Sequence, residues 1–181
     1  MRVRNLYAAT GLAIIALFSS AASLAASKAE IDASVKTALE KFHALNPAHK
    51  ELQAKAAGVL VFPRVTKGGV GVAGEYGEGV LRVNHKTVSY YSVSSASIGL
   101  TLGIAKHSEV IMFMTQEALD KFTQSKGWTV GVDAGVAVVS RGAGGEYDSK
   151  TLQKPILGFV YNEKGLIGDL SLKGSKISKL D

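Results

Sequence analysis

Gly58-Val59-Leu60-Val61-Phe62, Val70-Gly71-Val72-Ala73, Val80-Leu81-Arg82-Val83, Val88 to Val93, Ile98 to Ile104 and Val110-Ile111-Met112-Phe113-Met114 are short runs rich in β-branched and aromatic residues. Glycine-containing breaks separate several of them, which predicts an antiparallel meander. The preceding residues, 26–57, contain no glycine. The chain therefore divides into a helical front and a β body. In the front, Ser27 and Glu30 form a Ser-x-x-Glu capping box before apolar Ile31, Val35, Ala38, Leu39, Phe42 and Leu45. That spacing places one apolar stripe along a helix of about five turns, with Lys36, Glu40 and Lys41 off it. Asn46-Pro47 ends this helix and starts a second that runs to about Ala57. A third helix is expected over 115–126, with Thr115 as N-cap, Leu119 and Phe122 buried and Gly127 as its stop. Four more strands are expected at Trp128 to Val132, Val136 to Ser140, Ile156 to Tyr161 and Leu166 to Leu172. The fold class is α+β: a mainly antiparallel curved sheet or barrel-like body with about three helices, an amphipathic one at the mature N-terminus.

Upstream of the front, Arg2 and Arg4 precede a stretch without charge from Asn5 to Ser27, most apolar from Leu12 to Phe18. A basic start, an apolar segment, and Ser23 and Ala25 at −3 and −1 predict a secretory signal over residues 1–25. The alternative is an uncleaved membrane anchor. With 1–25 removed, residues 26–181 form one domain, long enough to bury a core. The chain has no cysteine. Disulfides, thiolate metal sites, cysteine nucleophiles and lipid attachment at a cysteine are excluded, so the expected product is periplasmic, soluble or peripherally attached.

Charge is uneven along the mature chain. Residues 28–67 hold seven basic and four acidic side chains, 68–172 nine and ten, and 173–181 three and one. An exported basic protein without a recognition motif argues against nucleic acid as partner and for anionic lipid or envelope polymer; a merely solubilising surface is the competing account.

Catalytic motifs are absent. His43, His49, His85 and His107 lie in four different places without metal-ligand spacing, so no metal is expected. Gly74-Glu75-Tyr76-Gly77-Glu78-Gly79 sits between two strands, lacks a Lys-Ser/Thr pair and is acidic where phosphate would bind. Ser92, Ser94, Ser95 and Ser97 form no nucleophile elbow. Glu75 and Glu78 read as turn carboxylates. No enzyme activity and no cofactor are expected.

Ala57-Gly58-Val59-Leu60-Val61-Phe62-Pro63, Lys67-Gly68-Gly69, Gly74 to Leu81, Val110 to Thr115 with Ala118, Leu119 and Phe122, and Gly127-Trp128 with Gly131 to Ala134 resemble, in order and spacing, the SYLF domain family. The resemblance covers about Ile31 to Ile177. It implies a lipid-binding module, one that in eukaryotic relatives binds phosphoinositides and in fungal members also binds actin. In an exported protein it implies anionic phospholipid such as phosphatidylglycerol or cardiolipin, and no endogenous actin partner. The family's basic N-terminal helix corresponds to Ser27 to Leu45, with Lys28, Lys36 and Lys41 as its cations. That helix either lies on a bilayer or packs on the β body, and packing is favoured. Lys36, Lys41, Arg64 and Lys67 then form a surface patch for head groups. The opposing expectation is an envelope interaction or stress protein that touches no lipid.

Overall fold

A computed structural model describes residues 26–131, 135–139, 147, 149–167, 172 and 174–181, without the side chains of 99–102. The expected signal segment 1–25 lies outside the described residues, as do Val132, Ser140 and 168–171 of the expected strands.

Helix α1 spans Lys28–Leu45, and both bonds of its capping box form: Glu30 N–H donates to the Ser27 hydroxyl, and Ser27 N–H to the Glu30 carboxylate. Its stripe of Ile31, Val35, Ala38, Leu39 and Phe42 is buried against Val59, Val61 and Val80 of the β body and Phe159 further along. Polar contacts fix the same docking: Tyr161 donates to the Ala38 carbonyl at 2.7 Å, and Asp32 accepts from Thr87 at 2.9 Å and Tyr90 at 2.8 Å. The helix packs on the body, and its apolar face is not free to lie on a bilayer. Helix α2 covers Ala48–Lys55, with the Asn46 side chain accepting from Ala48 N–H at 2.9 Å.

The expected six-strand meander is corrected to two long strands. β1 runs Gly58–Val83 and β2 Lys86–Phe113, antiparallel along their whole length. The one tight turn between them is Asn84-His85, whose φ values of 49° and 63° give the two left-handed residues that a two-residue hairpin turn requires. Straight, 26 residues would reach about 85 Å, while a domain of this size is roughly 40 Å across. The hairpin must therefore fold back on itself, and glycine makes this possible. A Cβ at Gly77 would meet the Arg64 carbonyl oxygen at 2.8 Å, and one at Gly79 would overlap the Val61 carbonyl oxygen and reach Phe62 Cδ1 at 2.7 Å. At the corner, a Cβ on Gly69 would overlap the Val72 carbonyl oxygen, and Gly71 has φ +73°. These glycines bend the strands without ending them.

Helix α3, Gln116–Gln124, has Thr115 as N-cap and buries Ala118, Leu119 and Phe122, but stops at Ser125 before reaching Gly127. Short strands β3 (Trp128–Thr129) and β4 (Ala137–Val138) follow, then a single helical turn α4 (Ser149–Leu152), β5 (Ile156–Asn162), β6 (Gly165–Leu166) and β7 (Lys176–Lys179). α4 and β7 were not anticipated, since a Lys-Ile-Ser-Lys strand carries one buried side chain, Ile177. The sheet order is β3-β7-β2-β5-β4, with β1 on β2 and β6 on β5. All pairings are antiparallel except β4 with β5, which is parallel. One core lies between Leu60, Phe62, Ile111 and Phe113 and the α3 face; the other lies beneath α1.

Candidate functional site: a basic groove beside α1

The docking of α1 leaves a cavity of about 860 Å³ between the helix, the first half of the hairpin and the β5–β6 turn. This lies within the size range of small-ligand sites. Lys41 stands on the helical wall, Arg64 and Lys106 on the hairpin wall, and Lys164 on the turn, with Glu163 the only acid among the lining residues. Tyr161 and Ser108 lie between the walls; Ser108 donates to the Pro63 carbonyl at 2.9 Å. Tyr161 and Ser108 spend their hydroxyl hydrogens on the Ala38 and Pro63 carbonyls, so the four lysine and arginine cations facing one carboxylate across the half-open cleft are what attract an anion.

Of the five cations expected at a head-group patch, Lys41 and Arg64 line this groove, while Lys28, Lys36 and Lys67 do not. Lys28 instead places its ammonium 5.2 Å from the Tyr90 ring centre. Lys36 is exposed on α1, five residues from Lys41 and so turned well away from it on a helix. Lys67 acts on the neighbouring Glu75 carboxylate. Lys106 and Lys164 escaped the sequence reading. Lys106 could have been found from its place beside the Lys67 segment, since Thr66 faces Lys106 and Lys67 faces Ala105, but that register is invisible when β1 and β2 are read as six strands.

Behind the groove, His107 lies between two carboxylates. Its Nε2 is 2.9 Å from Glu75 Oε1 and 3.0 Å from Glu109 Oε1, and all three side chains are nearly or fully buried. Burial alone would lower the His107 pKa; the hydrogen bonds and charges of Glu109 and Glu75 outweigh it and push it up to about 9. Burial also works to raise Glu75, but hydrogen bonds from His107 and Ser95 hold it below the ordinary carboxylate value. Glu109 is raised, chiefly by burial. At neutral pH His107 is therefore an imidazolium that neutralises charge between the folded halves of the hairpin: Glu75 comes from the returning half of β1, His107 and Glu109 from β2. Among the described residues these three are the group close enough to share a metal ion, their ligand atoms lying within 4.8 Å of one another. The imidazolium already supplies the positive charge such an ion would bring. No sequence signal pointed to Glu75, but His107-x-Glu109 is an alternation that puts both side chains on one face of a strand.

His43 and His49 are occupied structurally. His43 Nε2 meets Gln53 Oε1 at 2.7 Å. His49, fully buried, stacks on Phe42 and contacts the Phe42 carbonyl and the Tyr147 hydroxyl. The carbonyl can only accept, so Nδ1 carries the proton and Nε2 accepts from Tyr147. Burial holds the His49 pKa below its ordinary value, which keeps the ring neutral.

No curated protein sequence matches the chain. Residues 94–181, from the first third of β2 onward, match the family described as Ysc84, Las17-binding protein actin regulator. That stretch supplies Lys106, His107 and Lys164 of the groove, and over it the chain is similar to the SYLF family that its sequence blocks resemble.

Proposed function

We propose that this protein is an exported, non-enzymatic module that binds the head groups of anionic phospholipids in the groove beside α1. The observation that carries the reading is the convergence of Lys41, Arg64, Lys106 and Lys164 on one cavity, roomy enough for a phosphate head group. Each cation near an anionic bilayer contributes about 1 kcal/mol, so four give reversible, salt-sensitive attachment without covalent chemistry. No described helix is long and apolar enough to cross a membrane. A phosphodiester fits the groove better than a soluble carboxylate because the donors are spread over three walls.

Export belongs to the same reading. Cleavage after Ala25 would turn the Ala26 nitrogen, 3.2 Å from Glu78 Oε2, into an ammonium beside a carboxylate. N-terminal sequencing of the periplasmic product of the full-length chain tests this, and a product that retains residues 1–25 contradicts it.

Co-sedimentation with vesicles of phosphatidylglycerol and of phosphatidylcholine tests the lipid reading. The expected result is binding to the anionic vesicles that weakens between low and physiological salt, because exposed charges are screened over about 8–10 Å there. Equal, poor binding to both compositions contradicts it and favours an envelope protein-binding role.

A further inference from the structure

The corner at which the folded hairpin reverses is apolar and uncovered. Val70 is 79% exposed, Val72 61%, Ile98 91% and Ile104 76%. Soluble domains expose single aliphatic side chains freely, but four at one corner of one hairpin form a patch of the kind that marks an interaction surface. Val72 faces Ile98 across the pair, and Gly68 faces Ile104. Residues 64–74 and 96–106 contain no acid, and their only charged side chains are Arg64, Lys67 and Lys106, all at the base of the corner. Ile104 itself lines the basic groove next to Lys106 and Arg64, so the apolar corner and the cationic cleft are continuous.

We infer that this corner is a membrane-inserting tip: Val70, Val72, Ile98 and Ile104 enter the acyl region of a bilayer while Arg64, Lys67 and Lys106 stay at head-group level. The occupant is a lipid bilayer because the charge pattern fits one, with cations ringing an acid-free apolar point, as an anionic interface with hydrocarbon beneath it requires. Gly69, where a Cβ would overlap the Val72 carbonyl oxygen, lets the chain double back tightly at the corner. The inference rests on the lipid reading of the groove and adds penetration to head-group contact.

An Ile98→Trp variant reports it, because the native Trp128 is buried in the core and out of reach of lipid. With phosphatidylglycerol vesicles, the indole at the corner should shift to shorter wavelength and lose emission when the acyl chains are brominated. A Val72→Ser/Ile98→Ser variant should bind the same vesicles at least about tenfold more weakly. Co-sedimentation with unchanged indole emission overturns the tip and leaves the groove standing. Protein that stays in the supernatant overturns both. A chain that elutes as a dimer, is dissociated by Ile98→Ser and shows no lipid-dependent emission also overturns the tip, with a second copy as the occupant.

Discussion

His107→Ala should destabilise the protein by about 3–5 kcal/mol, the cost of leaving buried carboxylates without their counter-ion. Glu75 and Glu109 would face each other in the interior with nothing between them, and the Glu109 Oε2 is already buried without a partner. Urea unfolding measures this as a lower midpoint at an unchanged slope. The same triad sets a pH dependence. A histidine raised to about 9 from 6.5 contributes stability that is complete below pH 6.5 and is lost as pH rises through 9. The stability gap between wild type and His107→Ala should therefore be widest near neutrality and narrow toward pH 10. On the acid side, Glu75, held below its ordinary value, contributes stability above about pH 4.5 that is lost as pH falls through its lowered pKa. A gap that stays constant from pH 7 to 10 would show that the imidazolium is not what joins the two halves of the hairpin.

Gly79→Ala should cost about 3 kcal/mol or more. The added methyl group falls on the Val61 carbonyl and within 2.8 Å of the Val61 carbonyl carbon, and backbone cannot swing aside as a flexible side chain can. Relief requires the returning half of β1 to lift off the outgoing half, which would also pull Glu75 from His107. Gly74→Ala is the matched control, because a Cβ there meets nothing within 4 Å; it should change stability by no more than about 0.5 kcal/mol. Thermal or urea unfolding of the two variants separates a packing requirement at one glycine from a general effect of stiffening a glycine-rich strand. Equal losses at both positions would mean that β1 does not fold back as described.

The helices were legible because their signals are local. A capping box, a stripe at 3.6 spacing and a Thr115 N-cap each lie within one element, and α1 and α3 formed where these placed them. The strands differ from the expected six because the glycine-containing breaks are not turns. The chain turns at Asn84-His85, through two successive left-handed residues that are not glycine, whereas at Gly69, Gly77 and Gly79 glycine admits another backbone and the strand continues. Only the fold-back, set by contacts between residues as far apart as 61 and 79, distinguishes them. The site was legible to the same degree. Lys41 and Arg64 stood out as cations of the helical front and first strand, but Lys164 reaches them only because β5 pairs beside β2, a choice of strand order that no local pattern encodes. Glu75 joins His107 only because the hairpin folds back on itself, which is equally absent from any local pattern.

On the proposed function a built groove, and not a diffuse positive surface, takes the anionic head group. The most direct test compares two charge-matched reversals in co-sedimentation with phosphatidylglycerol vesicles: Lys41→Glu/Arg64→Glu inside the groove, and Lys176→Glu/Lys179→Glu on exposed β7 positions that do not line it. Removing two contacts of about 1 kcal/mol each and adding repulsion should weaken binding by the groove variant at least about thirtyfold, with the β7 variant close to wild type. Equal loss in the two variants would contradict the account.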